Sequence, residues 1–285
     1  MELTRTASAT RRVADAWRAE GTTVAFVPTM GALHRGHASL FRAARASCDH
    51  LAVSIFVNPL QFDDERDLDR YPRNEEADLA TCEAEGVDLV WAPPVDEVYP
   101  PGVALVEPDA GPVGRVFEGA SRPGHFAGVL TVVHRLFDVV GPARAFFGEK
   151  DAQQLFLVER MVQQHRLPVE VVACPTVREP DGLAVSSRNA RLGPGEREQA
   201  GCLFLALSEA AALARAGERN AGPIVAAMAR EIGATPLARL EYAAVVDRAT
   251  FEPAEVLDVP TRAIVAARFP SARLLDTLAL PEPSP

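Results

Sequence analysis

Short apolar runs alternate with longer amphipathic stretches through the first part of the chain. Thr22–Pro28 (TTVAFVP) is β-branched and apolar and stops at a proline, which predicts a buried strand. A Gly-containing turn follows, and Gly36–Ser47 then takes a helical period. His50–Val57 (HLAVSIFV) repeats the strand pattern and closes on Asn58-Pro59. Glu75–Glu85 predicts a helix, Val87–Trp91 a strand, His125–Val140 a helix and Ala143–Phe147 a strand. Asp151–His165 and Val169–Ala173 add one more helix and strand. Continuous apolar strands separated by helices belong to a parallel sheet covered on both faces. The expected fold class is therefore α/β, a doubly wound (Rossmann-like) parallel sheet.

The pattern changes after residue 176. One long Ala/Glu/Arg helix is predicted after Pro194 and another from Pro223 to Ile232. Strands follow at Leu240–Asp247, Ala263–Arg268 and Arg273–Leu278. Helices followed by strands predict a smaller C-terminal α+β domain, so the expected division is 1–176 and 177–285. The second domain is expected to close over a nucleotide site in the first. Gln61–Arg73 is polar and highly charged and reads as a surface loop, with Asp63, Asp64, Glu65, Asp67 and Asp69 as a solvated acidic face. Arg11–Glu20 reads as an amphipathic surface helix, and Pro281–Pro285 as a frayed tail.

Composition narrows the function. With 48% hydrophobic and 24% charged residues, global disorder is excluded. Lys and Arg number 29 against 39 Asp and Glu, a net charge of −10, which argues against a general nucleic-acid binder. It leaves room for a local basic pocket for one phosphorylated ligand. No apolar run is long enough for a bilayer, and Met1–Glu20 lacks a signal-peptide core. Cys48, Cys82, Cys174 and Cys202 form no CxxC pair and read as reduced structural thiols, which places the protein in a cytoplasm.

The strongest chemical signal is PTMGALHRGH, Pro28–His37, where the first strand hands over to the first helix. Ligands bind outside the carboxyl ends of parallel strands, and a helix N-terminus there offers N–H groups to an anion. His34 and His37 are spaced to face such an anion, and Gly36 between them is expected to let a ligand approach the backbone. The Gly-rich Walker pattern is missing, so this is not a P-loop.

HxGH at His34–His37 is the signature of a nucleotidylyltransferase superfamily. Around it, SIFVNPLQF (Ser54–Phe62), DLDRYPR (Asp67–Arg73), RPGHFAGVLTVV (Arg122–Val133), FFGEKDAQQL (Phe146–Leu155) and VREPDGLAVSSRN (Val177–Asn189) stand in order. Together these segments resemble the pantothenate synthetase (pantoate–β-alanine ligase) family. The second domain matches more loosely, chiefly through RLLD at Arg273–Asp276. The resemblance implies ATP-dependent condensation of pantoate with β-alanine, giving pantothenate, AMP and pyrophosphate, with Mg²⁺ accompanying ATP and a homodimer as the assembly.

The resemblance also implies roles. ATP contacts fall on Met30, Gly31, His34, Gly36, His37, Gly148, Glu149, Lys150, Asp151, Val177, Val185, Ser186, Ser187 and Arg188, with His34, His37, Lys150 and Arg188 catalytic and His37 the proton donor. Pantoate falls to Gln61 and Gln154, with Asn58 beside them, and β-alanine to Gln61. The residue types suit these roles. A neutral amide holds a hydroxy acid without pairing permanently with the carboxylate that must attack. Lys150 is a compact charge for phosphates, and Gly148 gives the backbone room. Asp151 is placed to cap a helix, to reach a ribose hydroxyl or to enter the metal shell. Gln154 lies one turn on, on the face of Lys150 and Asp151. Ser186-Ser187-Arg188 offers two hydroxyls and a guanidinium to triphosphate oxygens. Val185 stands where the family usually has Met. Glu118, Arg122 and His125 suit either a pocket wall or capping, while His50, His134 and His165 read as structural. Two other readings remain: an HxGH enzyme with a phosphorylated acceptor, which needs a second basic cluster, and a nucleotide sensor with a decayed site.

Overall fold

The structure, a computed structural model, describes residues 1–62, 68–69 and 71–281. Asp63, Asp64, Glu65 and Asp67 of the acidic stretch, and the end of the Pro-rich tail, lie outside the described residues. The chain divides into two compact units: residues 1–148 with 153–175, and residues 149–152 with 176–285.

The first unit is a six-stranded parallel sheet in the order β1-β4-β3-β2-β5-β6. Its strands are β1 (Glu2–Thr4), β2 (Val24–Thr29), β3 (His50–Ile55), β4 (Leu89–Trp91), β5 (Ala143–Gly148) and β6 (Val169–Cys174). The helices between them are α1 (Ala7–Ala19), α2 (Arg35–Arg45), α3 (Glu75–Ala84), α4 (His125–Val140) and α5 (Ala152–His165). The β-branched and apolar strand residues are buried, as a sheet covered by helices requires: Ala25, Val27, Leu51 and Val53 are fully enclosed. β2 pairs with β3 on one side and β5 on the other, so the sheet order reverses at β2. The crevice at such a reversal is where α/β sheets bind ligands. The α/β expectation therefore holds. β1 escapes the hydrophobic pattern because it is three residues long and reads as a polar terminus; its pairing with β4 makes it a sheet edge.

The second unit packs α6 (Cys202–Arg215) and α7 (Ala221–Gly233) on an antiparallel sheet of β7 (Arg239–Asp247), β8 (Thr261–Arg268) and β9 (Arg273–Ala279). The long helix expected after Pro194 is instead two pieces, Pro194–Gln199 and α6. The break falls at Ala200-Gly201, and a Cβ on Gly201 would stand 3.4 Å from the Asp181 carbonyl oxygen. Gln61 is likewise no part of a solvated loop: it ends a 3-10 turn, Pro59–Gln61, and is buried.

Candidate active site

The loop between β2 and α2 is held from two sides. Thr29 Oγ1 donates to the Ser54 carbonyl at 2.7 Å and accepts from Gly31 N at 3.2 Å. Gly31 and Ala32 both take positive φ, 76° and 51°, which turns two successive N–H groups to one side. The carboxylate of Asp78, buried on α3, accepts from Ala32 N at 3.0 Å and Leu33 N at 2.7 Å. A Cβ at Gly31 would lie 2.6 Å from Asp78 Oδ2, so glycine is required there. No sequence signal marks Asp78, because it is one of three acids in the first turn of α3, where acids are favoured anyway.

His34 and His37 form a reciprocal cap on α2. His34 Nδ1 accepts from Gly36 N at 3.1 Å, and His37 Nδ1 accepts from His34 N at 3.2 Å. Backbone N–H groups only donate, so each Nδ1 is unprotonated and each neutral ring carries its proton on Nε2. The rings lie 4.1 Å apart, and capping aims both at the helix N-terminus. A Cβ at Gly36 would meet His34 Cε1 at 2.9 Å, so the glycine makes room for the imidazole. Gly148 does have open space, with nothing within 4 Å of a Cβ.

Beyond β3, Asn58 is 1% exposed, and its amide is fully engaged. Its Nδ2 donates to Gln61 Oε1 and the Gly128 carbonyl, both at 3.0 Å, while its Oδ1 accepts from Leu60 N and Tyr99 Oη. Asn58 therefore fixes the Gln61 amide from behind, and Gln61 Nε2 reaches Met30 Sδ at 2.9 Å. Arg122 and His125 grip the same residue by its backbone: His125 Nδ1 donates to the Gln61 carbonyl at 2.9 Å and Arg122 Nη2 at 3.2 Å. Arg122 Nη1 lies 3.0 Å from His125 Nε2, which must then accept, so this imidazole is neutral with its proton on Nδ1. Arg122 is the C-cap of the short helix Glu118–Ser121, its N–H donating to the Glu118 carbonyl, while Gly124 is the N-cap of α4, and the side chains of Arg122 and His125 shape the Gln61 turn. Gln153 is the structural member of the Gln153-Gln154 pair, bonded to the Val113 and Val116 carbonyls and to Glu118 N. Gln154 is half-buried in the first turn of α5.

The second unit carries its own basic pocket. Lys150, Ser186, Arg188, Asn189 and Arg273 line it, with Leu274 and Leu275 of β9 among its apolar walls. Lys150 sits in the Glu149–Asp151 3-10 turn, where its Nζ lies 3.7 Å from Asp151 Oδ1 and Glu149 pairs with Arg262 at 3.1 Å. Asp151 precedes α5 within that turn. Residues 177–185 form a hairpin around Pro180-Asp181-Gly182, in which Val185 N donates to the Val177 carbonyl at 2.9 Å. The hairpin delivers Ser186, whose Oγ accepts from Arg188 N at 3.2 Å and opens the turn Ser187–Arg191. Arg273 is a lining residue that carried no sequence role.

The remaining candidates are structural. His50 stacks on Trp17 at 4.3 Å, and His134 is buried against His165, where burial pulls its pKa below the ordinary histidine value. All four cysteines are free thiols. Burial, reinforced by Asp78, pushes Cys82 up to about 12, and burial raises Cys202. Protonated thiols are poor nucleophiles. Replacing all four by alanine should leave turnover per folded molecule unchanged while lowering the melting temperature. Lost turnover in a folded variant would mean covalent chemistry at a thiol.

Three comparisons bear on this arrangement. A family model described as Pantoate-beta-alanine ligase matches residues 2–279. A curated pantothenate synthetase from Rubrobacter xylanophilus is 48% identical over 286 residues, covering 98% of each chain. The crystal structure of pantothenate synthetase from Thermus thermophilus superposes with a TM-score of 0.91 at 45% identity, over 99% of this chain and 100% of that one. A pantoate-beta-alanine ligase from Francisella tularensis, solved in complex with beta-gamma ATP and beta-alanine, gives 0.79 at 30% identity, over 98% of this chain and 97% of that one.

Proposed function

Because this chain belongs to the pantoate-beta-alanine ligase family, we propose that His34, His37, Lys150 and Arg188 carry its adenylation chemistry and that Gln61 holds its acid. The reaction itself is ATP-dependent ligation in two steps. The carboxylate of pantoate attacks the α-phosphate of ATP, forming pantoyl adenylate and releasing pyrophosphate. The amine of β-alanine then attacks the acyl carbon, loses a proton and expels AMP.

The observation that carries the assignment is the pair of capping imidazoles. With both Nδ1 atoms accepting from the backbone, both Nε2–H groups are donors, fixed in orientation before substrate arrives. Preorganised donors aimed at developing charge are the main lever in phosphoryl transfer. His37, with its one ring proton on Nε2, is assigned a hydrogen bond from that N–H to the leaving pyrophosphate; transfer of the proton itself would leave an imidazolate. Met30, Gly31 and Gly36 shape this loop beside the nucleotide. Lys150 and Arg188, with Ser186 and Ser187, are assigned the phosphate oxygens; Gly148, Glu149, Asp151, Val177 and Val185 are assigned supporting ATP contacts.

Gln61 is assigned pantoate and the adjacent β-alanine, and Gln154 pantoate. Asn58, having no hydrogen-bonding capacity left, acts on pantoate through Gln61. Among the described residues no group of three His, Cys, Asp or Glu side chains is placed to hold a metal. Magnesium would be carried on the ATP phosphates, with Asp151 as the protein carboxylate at its shell, where the ion would neutralise phosphate charge. We read the enzyme as a cytoplasmic homodimer on the family resemblance, a state that sedimentation measures directly.

Pyrophosphate release tests the acid pocket. In Gln61→Ala the Michaelis constant for pantoate should rise by about ten- to hundredfold, the loss of a hydrogen bond to a charged group. The constant for ATP should barely move. A selective loss of ATP affinity instead would take Gln61 out of the acid pocket.

A further inference from the structure

The loosely matching RLLD segment ends on Asp276, a residue with no role in the reaction as derived so far. It is 2% exposed and belongs to β9, directly after the pocket-lining Arg273, Leu274 and Leu275. Its carboxylate receives both arms of Arg178, Nη1 to Oδ2 at 2.5 Å and Nη2 to Oδ1 at 3.0 Å, and also accepts from Thr277 N at 2.7 Å. The forked pairing fixes the guanidinium in plane and direction.

Arg178 then reaches both sides of the pocket. Its Nη1 donates to the Gly182 carbonyl at 3.0 Å and its Nη2 to the Thr277 carbonyl at 3.2 Å. Its guanidinium lies 4.4 Å over the Phe204 ring, and that ring occupies the place where a Cβ of Gly182 would go, so the hairpin tip is pinned from below. At the other end of the hairpin Asn189 Nδ2 donates to the Ala184 carbonyl at 3.0 Å, which folds the Ser187–Arg191 turn back onto it. β9 also packs on the Glu149–Asp151 turn that holds Lys150. One largely buried ion pair therefore ties the hairpin that delivers Ser186 and Arg188 directly to β9.

We infer that Arg178 and Asp276 are positioning residues for the nucleotide reaction: the pair locks the 177–185 hairpin to β9 and so sets where Ser186 and Arg188 stand against the ATP phosphates. This rests on the assignment of that pocket to ATP. Packing alone does not explain the choice of residues, because an apolar pair of similar volume fills a buried site at equal or greater stability. An ion pair with forked geometry adds direction, which apolar groups lack.

The test uses the full chain in three variants, with kcat and both Michaelis constants read beside the melting temperature. Arg178→Met combined with Asp276→Leu removes the charges together, so no buried charge is left unpaired. Arg178→Lys keeps the charge and the stem but loses the fork. Arg188→Ala is the control for the pocket. The double variant should stay folded, with kcat/KM for ATP reduced by about 10²-fold, the effect of roughly an ångström of misplacement. Arg178→Lys should raise the ATP constant by a smaller factor, and the pantoate constant should stay unchanged in both. If Arg188→Ala weakens ATP while both pair variants keep wild-type ATP kinetics, the pair is packing and the inference is overturned. It is overturned equally if the pair variants only lower the melting temperature. If Arg188→Ala leaves ATP kinetics unchanged, it is the assignment of the pocket that fails.

Discussion

Replacing His37 by alanine should lower turnover by about 10²–10³-fold, the usual cost of one preorganised charge stabiliser. The fold should survive. His37 Nδ1 accepts a single backbone hydrogen bond, from His34 N, and removing a helix cap costs about 1 kcal/mol. Lys150→Ala should have an effect of the same order for a different reason. Its ammonium is the proposed phosphate ligand, while the turn that carries it is held through Glu149 and Arg262 and should keep its place without Lys150. Both variants should bind pantoate normally. Near-wild-type turnover of either purified, folded variant would remove that residue from the chemistry.

Gly128→Ala is expected to be strongly damaging for the addition of a single methyl group. Gly128 lies inside α4, where alanine ordinarily favours the helix by about 1 kcal/mol. Here a Cβ would stand 2.2 Å from the Leu60 carbonyl oxygen and 2.8 Å from Gln61 N, backbone atoms that cannot swing aside. Overpacking of this kind costs about 1–3 kcal/mol, which outweighs the propensity gain. The strain falls on the turn that presents Gln61, and it also disturbs the Asn58 hydrogen bond to the Gly128 carbonyl. The variant should therefore melt at a lower temperature and show a raised pantoate constant, with ATP least affected. Gly222→Ala is the control: nothing lies within 4 Å of its Cβ, so stability should hold or rise. Equal behaviour of the two variants would mean that the close approach of α4 to the Leu60–Gln61 backbone does not matter.

The parallel sheet was legible because buried strands such as Val24–Thr29 are continuous apolar runs, and the histidine loop because its residue types are rare at a strand-to-helix turn. What stayed hidden has physical causes. β1 is too short to show a period, and the break at Ala200-Gly201 interrupts a stretch whose composition is helical on both sides. Asp78, Arg122 and His125 act on backbone atoms distant in sequence, and a contact of that kind leaves no periodic trace. Asn58 was marked, but only its complete set of partners shows that it acts on Gln61. Gly36 reads as space for a ligand, and only the structure shows that the His34 ring also needs the absence of a side chain there. The Arg178–Asp276 pair joins residues nearly a hundred positions apart, and its two ends look like unrelated surface charges in the chain.

The most direct measurement is exchange of labelled pyrophosphate into ATP, with magnesium and pantoate present and β-alanine withheld. If the capping imidazoles and Lys150 drive attack of the pantoate carboxylate on the α-phosphate, wild-type protein should exchange label at a rate that rises and saturates with pantoate. His37→Ala and Lys150→Ala should exchange about 10²–10³-fold more slowly. The quenched protein should carry no added mass, because the histidine loop offers no nucleophile beside a base. Exchange that strictly requires β-alanine, an adenylyl or pantoyl adduct on the chain, or undiminished exchange in both variants would contradict this mechanism.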